Sequence, residues 1–524
     1  MKNITFVSNI ITKPFESYLS GYNVDHCDLN TIIQVLRSEV RTDILVVLID
    51  YSFFFDNFIK DDICEKISML KQHLLGFRKK NNARLILSNV YSPFYDFNST
   101  LNIVNYNELL KLNHEIDKIA CGVSDTAILN VFNIGINIGA ERMYNLQNKF
   151  LFQAPFTKVA TGLIAKEILS KIYLFQNPRK KVLAVDADNV LWGGIVGEDG
   201  IDNIKIDENY PGIIFKYFQS LLKALKDSGI LLVIISKNNH NDVKEVFDSK
   251  NMPLKWDDFI IKKINWQPKS KSIIDVANEL NLNIDSFVFI DDSPFEINEV
   301  KETLGSVECY KLDANNPIKN LSILNNIVGL KSLIVVEEDA RKTELYVEER
   351  KRKELIPDAS SVDDYIKNLE INISYSINNK AHLHRIAQLV NKTNQFNLTT
   401  RRYNVVELER MMDNYSVFDF QVTDKYGDLG IVGVGIVIDD LVDTLLLSCR
   451  ALSRRVEEKI LKVIQLETGN KNLKAVYEET AANSQVEEFY EDMGFEIING
   501  NKHKKEYILK HKVEDIEFIK AHRR

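Results

Sequence analysis

Residues 181–200 read KVLAVDADNVLWGGIVGEDG. The run Val182–Val185 is continuously apolar, as a parallel strand buried on both faces requires. It ends on two acids, Asp186 and Asp188, with no basic residue between them. Carboxylates held that close repel one another, so the strand end asks for a cation.

Outward from this stretch the pattern repeats. PGIIFKYFQSLLKALKDSG reads as a helix, ILLVIISK as a strand ending at Ser236, SKSIIDVANELN as a helix, and SFVFIDD as a strand ending in Asp291 and Asp292. Lys269 stands in the loop NWQPKSK between them. Polar residues collect just past the C-terminal ends of apolar strands, the edge at which open α/β sheets bind ligands.

Together these residues describe a phosphoryl-transfer site. Asp186 is the candidate nucleophile, forming an aspartyl phosphate. Asp188 is the candidate acid that protonates the leaving oxygen and then activates water. Ser236 and Lys269 would hold the phosphoryl oxygens. Asp186, the backbone carbonyl of Asp188, and Asp291, with Asp292 beside it, would hold Mg²⁺.

An acid pair after a strand, followed in order by Ser, Lys and Asp-Asp, resembles the haloacid dehalogenase (HAD) phosphohydrolases. LWGGIVGEDG, INWQPKSKSI and FVFIDDSPFE resemble the FkbH-like branch of that superfamily. Val190 stands where the usual pattern has Thr. Fifty positions separate Asp186 from Ser236 and 22 separate Lys269 from Asp291, too few for an inserted cap domain. An uncapped site admits a bulky partner such as a carrier protein. Trp192, Gly193 and Gly194 then read as a flap over the site, with Trp192 either walling the pocket or anchoring the flap.

VNKTNQFNLTTRRY (390–403), VTDKYGDLGIVGVGIV (422–437), LLLSCRALSRRVEEKIL (445–461) and NSQVEEFYEDMGF (483–495) occur in the order seen in FkbH-like proteins, whose C-terminal part resembles the GNAT acyltransferases. That resemblance implies acyl transfer beside phosphoryl chemistry. The turn that would receive a pyrophosphate is here Arg450-Ala-Leu-Ser453-Arg-Arg455, without its glycines, so coenzyme A is a poor fit. Arg454 and Arg455 read either as a solvated helix start or as receivers of a phosphopantetheine phosphate. Cys449 reads either as a packing residue or as the thiol that carries an acyl group, with Arg450 beside it. Tyr490 matches a general-acid position or packs the core. Asn394, Gln395 and Asn397 suit recognition of hydroxyl or carbonyl groups, or form a polar turn.

The first third alternates short apolar runs with helical patterns. FVSNI, with Ser8 and Asn9, resembles the nucleophile strand of SGNH hydrolases, but the late stretch FLFQAPFTKVATGLIAKEIL lacks the His which that chemistry needs, and His114 lies too early. A non-catalytic docking module is the reading for this part.

The expected fold class is therefore α/β multidomain: an SGNH-like α/β domain (1–175), an uncapped HAD Rossmann-like domain (176–330), a charged helical linker (331–365) whose next helix opens at Ser361 and Asp364, a GNAT-like α+β domain (366–512), and a helical or frayed tail (513–524). At 524 residues the chain exceeds one hydrophobic core. With 66 Lys and Arg against 74 Asp and Glu, nothing points to nucleic acid. Five cysteines without CxxC spacing indicate neither a disulfide framework nor a zinc site. No leader or membrane-spanning run is evident, and a cytoplasmic setting is expected.

The resemblance implies a transferase that takes a small phosphorylated glyceryl donor, 1,3-bisphosphoglycerate. It would remove phosphate at the HAD site and pass the glyceryl group to the phosphopantetheine thiol of an acyl carrier protein. The alternatives are a Mg²⁺-dependent phosphatase on a small monoester such as a sugar phosphate, with a vestigial C-terminal domain, and a non-catalytic carrier-binding assembly protein.

Overall fold

The strands around Asp186 send alternate residues into two separate cores, which is why they read as continuous apolar runs. Leu183, Val185, Leu232, Ile234, Val288 and Ile290 enter one core, and Val182, Ala184, Leu231, Val233, Phe287 and Phe289 the other. The computed structural model describes residues 2–55, 63–93, 106–123, 125–333, 362–452, 454–469, 472–480, 483–501 and 503–524. The charged stretch 336–355 and Ser361 lie outside the described residues; the helix expected there is described from Val362 to Leu369.

The chain divides into two compact units, Met1–Asn177 with Asn404–Val406, and Pro178–Tyr403 with Glu407–Arg524. In the first, β1 (Asn3–Ser8), β2 (Asn23–His26), β3 (Ile44–Leu48), β4 (Arg84–Ser88) and β5 (Thr126–Leu129) form a parallel sheet in the order β2-β1-β3-β4-β5. Helices such as Ile63–Lys80, Tyr106–Gly122 and Lys158–Gln176 join and cover these strands.

The second unit begins with another parallel sheet: β6 (Val182–Val185), β7 (Leu231–Ser236), β8 (Phe259–Ile264), β9 (Phe287–Asp291) and β10 (Glu308–Lys311), in the order β10-β9-β6-β7-β8. From β6 the chain steps outward through β7 to β8, then returns to the other side of β6 as β9. The direction reverses between β6 and β9, and the crevice past the strand ends at such a reversal is the natural ligand site. Val185 pairs with both Ile234 and Ile290, so Asp186 stands level with Ile235 and Asp291.

The remainder of this unit is a mixed sheet of β11 (Asn372–Ile377), β12 (Phe396–Asn397), β13 (Ser416–Asp424), β14 (Gly427–Ile438), β15 (Leu441–Leu447), β16 (Lys474–Glu478), β17 (Phe495–Gly500), β18 (Lys504–Leu509) and β19 (Lys520–Arg523). Parallel neighbours β15 and β16 pair only at Leu441–Lys474 and Val442–Ala475 and then part. The gap is filled by β12, whose Phe396 and Asn397 pair with Leu447 and Leu446, while Glu478 N–H donates to Leu398 C=O at 2.8 Å.

The tail is neither helical nor frayed. β19 adds to β11 in parallel, and Val513, Ile516 and Ile519 are buried. Lys459 holds it through Asp515 and the Ile516 carbonyl, and Lys462 through the Val513 carbonyl. No described helix is long and apolar enough to cross a membrane.

Asn483 fastens the filled gap. Fully buried, it donates from Nδ2 to the carbonyls of Asn397 and Glu478, both at 2.9 Å, and accepts from Thr480 N–H at 2.7 Å. Asn483→Ala would strand three backbone groups away from water. The expected cost is about 2–3 kcal/mol, read as a lower urea midpoint at unchanged m-value.

Candidate active site

Each strand end of the sheet β10-β9-β6-β7-β8 delivers one part of the site. Asp186 follows β6 and is 7% exposed, Ser236 closes β7 at 3%, and Asp291 closes β9 at 0%. Lys269, 3% exposed, opens the helix Lys269–Leu280, and its ammonium lies 2.8 Å from Asp186 Oδ1 and 2.5 Å from Asp291 Oδ2. Burial disfavours that ammonium, but the two carboxylates outweigh it and hold its pKa above the ordinary value.

Asp186, Asp291 and Asp292 each offer an oxygen within 4.8 Å of the others. Such a set of hard oxygen donors suits a divalent cation. Asp291 and Asp292 are both raised above the usual carboxylate range, first by burial and then by the charge of Asp186. One ammonium does not neutralise this cluster, so the donor chemistry fits a metal held beside Lys269.

Asp188 stands outside the carboxylate set because both its oxygens are engaged elsewhere. Oδ1 accepts from Trp192 Nε1 at 2.8 Å and Val196 N–H at 3.1 Å; Oδ2 accepts from Asn238 Nδ2 at 2.8 Å. Its pKa is raised to about 6, chiefly by burial, against the lowering effect of the Val196 and Trp192 donors. An acid fixed in orientation and poised near neutrality suits proton transfer in both directions.

The flap expected at Trp192, Gly193 and Gly194 is absent. Trp192 is fully buried, edge-on to Phe247, and serves as a donor that orients Asp188. Gly193 exchanges two backbone hydrogen bonds with Lys205, and a Cβ there would lie 2.8 Å from Phe215. Gly194 has φ of +100° and donates its N–H to Asn189 Oδ1 at 2.9 Å, so the turn is pinned. Val190 packs in the core and brings no hydroxyl.

Sequence reasoning missed Asn238 and Asn189. Asn238 holds the second oxygen of Asp188, and Asn189 bonds Asp292 as well as Gly194. Both follow strand ends closely, but an Asn in a turn carries no motif. It also missed the exposed rings of Trp266 and Phe295, three residues before Lys269 and three after Asp292.

Among the C-terminal candidates, Asn394, Gln395 and Arg450 line one cavity of about 150 Å³ together with Ser448. The backbone of Cys449 lies in the short 3₁₀ turn Cys449–Ala451 after β15, while its side chain and Ser453 lie outside the described residues. Arg454 and Arg455 do not form a phosphate receiver. Arg454 is buried 3.8 Å from Asp424, and Arg455 is paired with Glu458 at 2.9 Å and Asp363 at 3.1 Å. The helix they precede carries Glu457 in its first turn, half-buried and raised to about 7 mainly by loss of solvent around its carboxylate.

Tyr490 is no general acid: it is 1% exposed among Phe489, Phe495 and Tyr507, and burial pushes its hydroxyl far above the usual range. Asn397 is a turn staple, donating to Thr393 C=O at 3.2 Å and accepting from Thr400 N–H at 2.8 Å. In the first unit the Ser8 hydroxyl donates to Leu48 C=O at 2.6 Å and accepts from Ile10 N–H.

The chain matches no protein-family model and no curated protein. Among solved structures it is similar to the N-terminal part of protein BF1531 from Bacteroides fragilis, which contains a phosphatase domain complexed with Mg. That likeness has a TM-score of 0.54 at 24% identity, over 64% of this chain and 94% of that one. At that identity the likeness is one of fold. The HAD-family enzyme BT-2542 from Bacteroides thetaiotaomicron, a magnesium complex, also matches at TM-score 0.20 and 16% identity, over 27% of this chain and 98% of that one.

Trp192→Phe keeps the buried ring and removes the donor to Asp188. Turnover is expected to fall roughly 10- to 100-fold with little change in melting temperature, measured by steady-state kinetics and thermal denaturation. Gly193→Ala drives a methyl into Phe215 and is expected to cost about 1–3 kcal/mol in a denaturant titration.

Proposed function

We propose that the chain is a Mg²⁺-dependent phosphohydrolase of the HAD type, acting on a small phosphorylated molecule through an aspartyl-phosphate intermediate. The observation that carries this reading is the division of labour at one strand reversal. Asp186 lies 2.8 Å from the Lys269 ammonium, while Asp188, two residues on, is turned away to Trp192, Val196 and Asn238 and has its pKa raised to about 6, chiefly by burial. Two carboxyl groups with such different partners can divide the roles of nucleophile and acid between them.

Asp186, Asp291 and Asp292 would hold the Mg²⁺, which screens their charge and that of the phosphoryl group. An oxygen of Asp186 forms a bond to phosphorus as the bond to the leaving oxygen breaks, and Asp188 gives that oxygen its proton. Asp188 then takes a proton from water, which attacks phosphorus and releases phosphate and free Asp186. Lys269 and Ser236 steady the phosphoryl oxygens throughout. Asn238 and Trp192 keep Asp188 aimed.

Asp186→Asn is expected to lower phosphate release roughly 10⁴-fold or more, and Asp188→Asn about 10²- to 10⁴-fold. Chelation should abolish the activity and added Mg²⁺ restore it. A magnesium-independent rate, or an Asp186→Asn variant of ordinary activity, would overturn the reading.

A finer reading, glyceryl transfer to an acyl carrier protein, is favoured by the convergence of Asn394, Gln395 and Arg450 on one cavity beside the Cys449 turn. In it the Cys449 thiolate attacks the acyl-phosphate carbonyl of 1,3-bisphosphoglycerate, forming a C–S bond as the C–O bond to the 1-phosphate breaks and inorganic phosphate leaves. The remaining phosphate is removed at Asp186, and the carrier's phosphopantetheine thiol takes the glyceryl group. Intact-protein mass spectrometry after a pulse of 1,3-bisphosphoglycerate should show a glyceryl adduct that moves to the carrier and is missing from Cys449→Ala. No adduct on either protein would leave hydrolysis alone.

A further inference from the structure

The acids close their strands at one edge of the sheet around β6; the cavity lies at the other. Lys181 precedes β6, Leu231 opens β7 and Ser286 precedes β9, and all three line it, facing Arg385, Lys392 and Arg450 of the C-terminal part. A strand of four to six residues at ~3.3 Å each puts roughly 13–20 Å between the two edges. The cavity is therefore separate from the phosphoryl-transfer site.

Its lining is strongly basic in a chain whose net charge is −8. Arg179, Lys181, Arg385, Lys392 and Arg450 face it, against one carboxylate, that of the exposed Asp285. Arg179 is engaged by the Leu330 carbonyl and by Ser228, and Arg385 by the Ile431 carbonyl and Gln388. Among the described residues neither Lys181 nor Arg450 has an ion-pair partner, and both are half-buried. Gathering cations in a partly dehydrated recess is unfavourable until an anion enters.

We propose that this cavity is a second anion site, which takes a phosphate-bearing molecule of a few carbon atoms. A monocarboxylate would leave most of the positive charge uncompensated, whereas a phosphate dianion meets the Arg450 fork and the Lys181 and Lys392 ammonium groups together. At about 150 Å³ the cavity holds the equivalent of about five waters, room for a phosphate and a short carbon chain. Gln395, tied to Asn283 at 3.4 Å, and Asn394 line it as amides for the hydroxyl and carbonyl groups of that chain. The site does not depend on hydrolysis at Asp186.

The test is isothermal titration of the full chain in EDTA with 3-phosphoglycerate, inorganic phosphate and glycerate. With the metal-dependent site at Asp186 silenced by EDTA, wild type should bind one equivalent of 3-phosphoglycerate, and Lys181→Ala/Arg450→Ala should weaken it at least about tenfold. Glycerate should bind at least about tenfold more weakly than 3-phosphoglycerate, while inorganic phosphate shows how much the phosphate alone supplies. Should the double variant fail to fold, Ser448→Asp places a carboxylate next to Arg450 and should cause the same loss. Wild-type stoichiometry and affinity in these variants, or glycerate binding as tightly as 3-phosphoglycerate, would overturn the proposal. One bound equivalent that the double variant loses, with no Mg²⁺-dependent turnover, would count against the phosphohydrolase reading and leave this one standing.

Discussion

Four carboxylates brought to one end of one sheet form the constraint around which the middle of this protein is built. Asp186, Asp188, Asp291 and Asp292 follow apolar strands that bury both faces, so their positions are fixed by packing they take no part in. The sheet's reversal between β6 and β9 brings Asp186 and Asp291 together, and Lys269 enters between them from a separate helix. Burial first, and the charge of Asp186 behind it, show in the raised pKa of Asp188, Asp291 and Asp292. A divalent cation would relieve this crowding.

Around this centre, the turn after β6 trades mobility for alignment. Trp192 and Asn238 each hold one oxygen of Asp188 from the core side, and Asn189 ties the same turn to Gly194 and Asp292. The consequence is an acid whose direction is set before substrate arrives, which limits reorganisation during the reaction. Exposed Trp266 and Phe295 leave apolar rings close in sequence to Lys269 and Asp292, on a domain with no inserted cap.

Much of the centre was legible because its signal is local: apolar strand, then acid, repeated in order with Ser236 and Lys269 between. What was misread depended on partners distant in sequence. Trp192 sits beside Gly-Gly as a mobile aromatic would, yet its ring is buried against Phe247, 55 residues on. Tyr490 and Arg454 resembled functional residues by position alone, and burial removes both from solvent. The tail becomes a strand only because β11, 148 residues earlier, leaves an edge open to Lys520. Asn238 has no motif to be found by, and the basic cavity exists only where two separately encoded surfaces meet within the second unit.

The most direct measurement on the central claim is an acid-quenched, millisecond mixing of the Mg²⁺-loaded enzyme with a phosphate monoester, followed by peptide mass spectrometry. The account predicts a transient phosphoryl adduct on the peptide spanning β6 and Asp188, assigned to Asp186 by borohydride reduction and longer-lived when Asp188 is replaced. Phosphate released at the full rate with no adduct on that peptide at any time would mean that water attacks directly, and that Asp186 is not the nucleophile.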